Sequence, residues 1–305
     1  MPSSTYAGSW PVMVTPFTER LTLDLGAYRA MIAWYLDHNV GGLYANCLSS
    51  EMYALEDDER VTLVREAVRA ANGRVPVAAT GNLGEDQEAH LRLCRRMADA
   101  GADVVMLVVP PFLADDAALE RYYLTMAEAL PGVPLGLYEC PVPRPYHLGV
   151  DLVRKLARTG RFVAYKETSC NSAKIASLLE ATRGTPLALL QANVSYLLEA
   201  TRLGAPGTMS VASIIVPELV AEVISLGQSQ MPGDAERAEA LQARLCAIHL
   251  AQRQVHPHGS KYLLAKRGVP ISAYAREQPS PLTPEVCRAL DYAAREWFTE
   301  EGALR

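Results

Sequence analysis

The 305-residue chain is longer than an average domain, yet it suits one α/β barrel with an added helical segment. Half of its residues are hydrophobic and 21% are charged, which is enough apolar material for a large core. A net charge of −5 gives no electrostatic ground for a nucleic-acid or anionic-membrane partner, and no apolar run reaches the roughly 20 residues a membrane span requires.

The opening Met1-Pro2-Ser3-Ser4-Thr5 has neither a basic stretch nor an apolar one, so no secretory signal is visible and a soluble, cytoplasmic protein is expected. From there the chain alternates short β-branched runs with longer amphipathic stretches. Strands are expected at Pro11–Thr15, Gly42–Asn46, Val75–Thr80, Val104–Val109, Leu135–Tyr138, Phe162–Lys166, Leu187–Leu190 and Gly207–Val211. Helical periodicity fills the intervals near Leu25–His38, Asp57–Ala71, Asp86–Ala100, Ala117–Leu130, Val150–Thr159, Ala173–Thr182 and Ser195–Leu203. Gly and Pro punctuate the joins.

Strands that return in parallel need crossover helices, so this alternation predicts a parallel sheet. Eight units fit a closed (β/α)8 TIM barrel. No GxGxxG follows the first strand, which disfavours an open nucleotide-binding sheet. Beyond the eighth strand, Pro217–Leu226, Asp234–Gln254, Ser260–Arg267 and Pro284–Trp297 read as the last barrel helix and a C-terminal helical extension. We place the barrel in residues 1–225 and the extension in residues 226–305.

The active site of such a barrel lies at the C-terminal ends of its strands. The chain has five lysines, and Lys155, Lys174, Lys261 and Lys266 fall in amphipathic helical stretches where a solvated face is expected. Lys166 alone follows an apolar and aromatic run at a strand end. Desolvation there lowers an ammonium's pKa and leaves more neutral amine to attack a carbonyl. A lysine paired with Glu167, or one reaching out to the rim, fits the same pattern. Tyr138 ends the fifth strand and could move protons beside such a lysine, or serve as a core tyrosine bonded to a carbonyl. The loop Cys47-Leu48-Ser49-Ser50-Glu51 offers backbone N–H groups and two hydroxyls for a carboxylate, or is a simple capping turn.

The six cysteines show no CxxC spacing, and Cys47, Cys140 and Cys170 near strand ends are expected to be packing thiols. His256-Pro257-His258 reads as a loop with two exposed imidazoles, and no metal-ligand cluster is visible. No metal or organic cofactor is expected.

These landmarks together resemble the dihydrodipicolinate synthase / N-acetylneuraminate lyase family, class I aldolases and lyases that act on pyruvate and related 2-oxo acids. Val12-Met13-Val14-Thr15-Pro16-Phe17 resembles the family's opening strand ending in VTPF, and Cys47-Leu48-Ser49-Ser50-Glu51 sits where it has GTTGE. Ala79-Thr80-Gly81, Ala100-Gly101-Ala102-Asp103 and Pro110-Pro111-Phe112 follow in order. Tyr138-Glu139-Cys140-Pro141 is similar to YNxP, and Tyr165-Lys166-Glu167-Thr168-Ser169 to the Schiff-base lysine strand. His256-Pro257 with Lys261, then Pro281-Leu282-Thr283-Pro284, resembles the C-terminal region.

The resemblance implies that Lys166 forms the imine and that Tyr138 is the general acid/base, aided by the Ser49 hydroxyl. It implies that the Ser49 and Ser50 amides hold the substrate carboxylate, and weakly a homo-oligomer, tetramer or dimer. Leu48, Arg144, Glu139, Thr168, Ala192, Asn193 and Ser210 complete the expected substrate contacts.

Several positions depart from the family pattern. Cys47 and Ser50 replace both loop glycines, which would reshape that backbone if it required positive φ. Leu48 removes a hydroxyl, and Phe112 stands where the family has a tyrosine lent by a neighbouring subunit. Pro143 takes the place of a synthase's carboxylate-binding arginine, with Arg144 one position later. Gln191-Ala192-Asn193 lacks the residues that sialic-acid lyases use on the sugar chain. The leading expectation is a Schiff-base lyase or aldolase on pyruvate or a related 2-oxo (sugar) acid. A dihydrodipicolinate synthase with a drifted relay and a non-catalytic paralogue that binds a 2-oxo acid are the alternatives.

Overall fold

The structure, a computed structural model, describes residues 5–113, 115–277 and 279–305. The opening segment read for a leader lies largely outside the described residues. Eight parallel strands run β1 (Gly8–Pro11), β2 (Leu43–Asn46), β3 (Val77–Thr80), β4 (Val104–Val108), β5 (Leu135–Tyr138), β6 (Phe162–Glu167), β7 (Ala188–Gln191) and β8 (Gly207–Ser210). From β2 to β8 consecutive strands pair with one another, and β1 pairs with β8. The β1–β2 seam closes just past β1, where Val12 bridges Tyr44 and the Met13 N–H donates to the Tyr44 carbonyl at 3.1 Å. The result is a (β/α)8 TIM barrel.

The crossovers are α1 (Leu25–Asp37), α2 (Asp57–Ala71), α3 (Gln87–Asp99), α4 (Asp116–Ala129), α5 (Val150–Arg158), α6 (Ser172–Thr182), α7 (Leu197–Arg202) and α8 (Pro217–Gln228). Their ends are chemically marked. Asp86 and Asp115 accept from backbone N–H groups three residues on, and Asn72 closes α2 in a left-handed conformation at φ 47°. Three more helices follow: α9 (Asp234–Gln254), α10 (His258–Lys266) and α11 (Pro284–Trp297).

Two elements differ from expectation. The first ladder-forming strand is Gly8–Pro11 rather than Pro11–Thr15, because the VTPF run passes over the barrel mouth, where Val12 makes a single bridge. The stretch expected as one helix over Ser195–Leu203 opens with a 3₁₀ turn at Val194–Tyr196 before α7 begins. In addition, α8 runs to Gln228, past the boundary at residue 225.

Strands β2, β3, β4, β5, β7 and β8 are buried along their whole length, as both faces of a barrel strand are covered. The interior is packed. A side chain at Gly136, on β5 two residues before Tyr138, would collide with the Met106 sulfur from β4. That layer floors the site above it.

Candidate active site

Lys166 and Tyr138 are register partners across the β5–β6 ladder, so parallel pairing alone sets the ammonium beside the phenol. Lys166 Nζ donates to the Tyr138 hydroxyl at 3.3 Å. It lies 4.3 Å from the centroid of the Tyr138 ring and 5.7 Å from that of Tyr44. Lys166 is 7% exposed. Burial pulls its pKa below the usual lysine value, while the nearby Cys47 and Cys140 sulfurs act in the opposite sense.

Glu167 is one residue on, so it faces away, and its carboxylate accepts from Gln191 Nε2 at 2.7 Å and the Ser169 N–H at 2.6 Å. The other four lysines each lie against a carboxylate: Lys155 on Glu120, Lys174 on Glu139, Lys261 on Glu51 and Lys266 on Asp291. Lys166 forms no such pair among the described residues. That separates it from the ion-paired alternative.

Tyr138 is held as a neutral phenol. Burial raises its pKa well above the usual value, and Cys140, Tyr44 and Cys47 add to the effect. The Tyr44 ring meets it edge-on at 5.7 Å, and the Tyr44 hydroxyl is bonded to Thr80 Oγ1 at 2.9 Å.

The loop after β2 folds as a 3₁₀ turn, with the Ser50 N–H donating to Cys47 O and the Glu51 N–H to Leu48 O. Losing both glycines does not strain these positions. Cys47 is extended at φ −144°, and the left-handed residue is Glu51 at φ 58°. Ser50 Oγ donates to Met13 O at 2.7 Å and accepts from the Cys47 N–H at 3.1 Å, so its hydroxyl anchors the loop. The Ser49 and Ser50 amides also face the fully buried Cys47 sulfur, whose pKa burial raises.

Ser49 Oγ meets His256 Nε2 at 3.1 Å, and His256 Nδ1 meets Ser260 Oγ at 2.8 Å. Gln252 Nε2 donates to that same Ser260 oxygen at 3.0 Å. When Ser260 Oγ donates to Nδ1, Nε2–H donates to Ser49; in the other tautomer Ser260 accepts from both Gln252 and Nδ1–H, and the Ser49 hydroxyl donates to Nε2. The first arrangement leaves the Ser49 hydrogen free for the site.

This corrects the expectation of two exposed imidazoles. His256 is half-buried, and His258 is 2% exposed with Nδ1 on Ala273 O at 2.7 Å. Packing of α9 and α10 over the barrel mouth covers both. The expected solvated Lys261 is fully buried for the same reason, with Nζ on Glu51 at 2.8 Å and on Tyr274 O at 2.5 Å. Cys170 departs the other way. It is exposed rather than packed, at φ 51° just before α6.

Most other candidate residues are bonded to the scaffold, although the Asn193 side-chain Nδ2 is buried with no hydrogen-bond partner. Glu139 faces away from Tyr138 and accepts from Tyr165 Oη at 2.5 Å, the Leu148 N–H at 2.8 Å and the Thr168 N–H at 2.9 Å. Arg144 turns onto the carbonyls of Pro111 and Leu113. The Ala192 N–H donates to Glu167 O and the Asn193 N–H to Gln191 Oε1. Ser210 pairs with Ser213 Oγ at 2.9 Å. Leu48 is half-buried on the wall of a cavity of about 660 Å3 at the strand ends, whereas Phe112 is 50% exposed with its ring stacked on His90.

A model of the dihydrodipicolinate synthetase family matches residues 5–295. The chain belongs to that family. The chain is 29% identical over 266 residues to a 4-hydroxy-tetrahydrodipicolinate synthase of Nitrosococcus oceani, covering 87% of this chain and 89% of the relative. With the enzyme of that name from an Exiguobacterium strain it shares 30% identity, over 88% and 90% of the two chains. A dihydrodipicolinate synthase of Bacillus anthracis superposes with a TM-score of 0.86 at 25% identity, over 94% of this chain and 97% of that one. A dihydrodipicolinate synthase of Acinetobacter baumannii, solved with pyruvate, shares the fold at a TM-score of 0.86 and 24% identity, over 98% and 100%. This family member is a class I lyase of the Schiff-base aldolase type. No helix among its described residues is long and apolar enough to cross a membrane.

Proposed function

We propose that the protein joins or cleaves a carbon–carbon bond next to a 2-oxo acid, with Lys166 as the imine-forming amine and Tyr138 as the proton carrier. The observation that supports this most is a buried, carboxylate-free ammonium 3.3 Å from a neutral phenol. The neutral Lys166 amine adds to the keto carbon of pyruvate or a related acid, and the carbinolamine loses water to give an iminium. The iminium withdraws the electron pair from the adjacent C–C or C–H bond, leaving an enamine. Tyr138 accepts or donates the proton at the substrate hydroxyl, and water then hydrolyses the imine to restore the amine. The Ser49 hydroxyl, held by His256, would support Tyr138, and the 47–51 loop would receive the carboxylate.

Borohydride reduction in the presence of pyruvate and a panel of 2-oxo acids, followed by peptide mass spectrometry, tests this. An adduct on Lys166 is expected. Folded protein that gives no adduct with any of these acids would overturn the reading in favour of a non-catalytic binder.

The synthase name of the relatives makes aspartate semialdehyde the first co-substrate to assay. Arg144, held on two backbone carbonyls, argues against it as the preferred one. We also infer cytoplasmic action as a dimer or tetramer, which cell fractionation and sedimentation would check.

A further inference from the structure

The cavity at the strand ends is walled by Leu48, Leu83, Val108 and Val142. Val108 is the register partner of Tyr138, Leu48 directly precedes Ser49, and the Tyr53 hydroxyl lies 4.0 Å from the Cys140 sulfur, so its wall is built from the immediate neighbours of the reacting residues. Apart from Glu277, the polar side chains that line it are bonded within the protein. Asn82 Nδ2 donates to Val108 O at 2.7 Å and to the Tyr122 hydroxyl at 3.0 Å, while Asn82 Oδ1 accepts from the Val108 N–H. His90 Nε2 reaches Gly84 O at 3.2 Å, which requires a hydrogen on that nitrogen. His90 Nδ1 then accepts from the Tyr122 hydroxyl at 2.8 Å. The Tyr53 hydroxyl donates to Val142 O at 3.1 Å. The one charged side chain on the wall is Glu277, an anion. Arg144, the cation nearest in sequence to Val142 and Pro143, is turned onto Pro111 and Leu113.

From these observations we propose that this cavity is the acceptor subsite of the reaction and that it takes the uncharged, apolar substituent of an aldehyde, aliphatic or aromatic. A carboxylated substituent would face Glu277 with no cation to pair with. A polyhydroxylated one would lay most of its hydroxyls against Leu48, Leu83, Val108 and Val142, where only the Glu277 carboxylate offers a side-chain acceptor without a partner. At about 660 Å3 the cavity lies within the range of small-molecule sites and holds a six- to ten-carbon group. In the synthetic direction, C3 of the pyruvate enamine attacks the aldehyde carbon and forms one C–C bond. The aldehyde oxygen takes the Tyr138 proton, and water releases a 4-hydroxy-2-oxo acid. Nothing is oxidised or reduced.

The proposal rests on the Schiff-base reading, and one experiment separates the two. Purified full-length protein is given pyruvate with benzaldehyde, hexanal, glyceraldehyde or succinic semialdehyde, and product formation is followed alongside borohydride trapping. We expect kcat/KM for benzaldehyde or hexanal to exceed that for succinic semialdehyde and glyceraldehyde by about tenfold or more. Val142→Lys, at an exposed rim position, should move the ratio toward succinic semialdehyde by about tenfold. Trapping at Lys166 with succinic semialdehyde or glyceraldehyde preferred overturns the subsite and leaves the imine standing. Trapping with no neutral aldehyde consumed does the same. Absence of trapping with every 2-oxo acid overturns both.

Discussion

Among the described residues two lysines are withdrawn from water, and they keep opposite company. Lys166 stands at the mouth of the barrel among tyrosine rings and thiols, and Lys261 lies between α10 and the loop after β2. Burial pulls both pKa values down. At Lys261 the Glu51 carboxylate, 2.8 Å away, works against burial and favours the charge. The second Glu51 oxygen takes the N–H groups of Arg276 at 2.5 Å and Glu277 at 3.2 Å, so the C-terminal extension is clamped onto the loop that carries Ser49. At Lys166 no carboxylate plays that part, and losing a proton is correspondingly easier. Burial makes a lysine unusual, and its charged company decides whether it becomes a fastener or a nucleophile.

The comparison breaks first at Lys166. Lys166→Ala should lower turnover by at least about 10⁴-fold and abolish the borohydride adduct, because neighbouring hydroxyls cannot form an iminium. Lys261→Met should keep the adduct in whatever fraction stays folded. An adduct on Lys261 by peptide mass spectrometry would reverse the assignment.

Tyr138→Phe should cut turnover by about 10²–10⁴-fold while slowing imine formation much less, since the phenol is asked to move protons after the amine has attacked. Single-turnover trapping set against steady-state rates reads the split. An unchanged kcat would remove Tyr138 from the mechanism.

The fastener is tested through stability. Lys261→Met leaves the buried Glu51 carboxylate without its ion-pair partner, held only by the N–H groups of Arg276 and Glu277, and should cost about 3–5 kcal/mol in urea unfolding. Adding Glu51→Gln to that variant should recover part of the loss. Strict additivity would mean the two groups are not coupled, and the clamp would lose its basis.

The Lys166–Tyr138 pairing was legible in the sequence and the Lys261–Glu51 clamp was not, for a physical reason. Strands and crossover helices are written in local periodicity, so every strand from β2 to β8 lies within about two residues of its expected bounds. Lys166 and Tyr138 end two such strands, and parallel pairing brings strand ends together without further information. The Lys261–Glu51 and His256–Ser49 contacts join residues 210 and 207 positions apart, through the packing of helices whose docking no periodicity encodes. Amphipathic spacing near Lys261 suggested a solvated face, because the pattern shows that a helix is covered and not which of its polar groups are covered too. The landmark run His256-Pro257 with Lys261 was visible, but nothing local assigns either side chain a partner. Glu139 fails in the opposite way. Its place next to Tyr138 suggested the site, yet strand alternation turns it outward onto Tyr165 and Thr168.

The smallest expected effect joins the two regions through His256, which touches Ser49 on one side and feels Lys261 on the other. Burial first, then the charges of Lys261, His249 and Lys166, pull its pKa down to about 3. In the unfolded chain the same imidazole takes its proton near 6.5. Between those values the unfolded state binds more protons, so this group's stabilising contribution is complete above about pH 6.5 and drains away as pH falls toward 3. Its share of the slope approaches about 1.4 kcal/mol per pH unit. His249, pulled down to about 4, contributes over a narrower window. His256→Gln should therefore flatten the dependence of urea stability on pH between 6 and 4 by about that amount. At neutral pH it should reduce kcat/KM by about tenfold, because the Ser49 hydroxyl loses the imidazole that orients it. Ser49→Ala should give a similar loss, and the double variant little more than either alone. Equal slopes for the two proteins would mean that His256 already titrates normally in the folded state. The barrel mouth would then admit more water than its packing implies, and the low-pKa environment assigned to Lys166 would have to be revised with it.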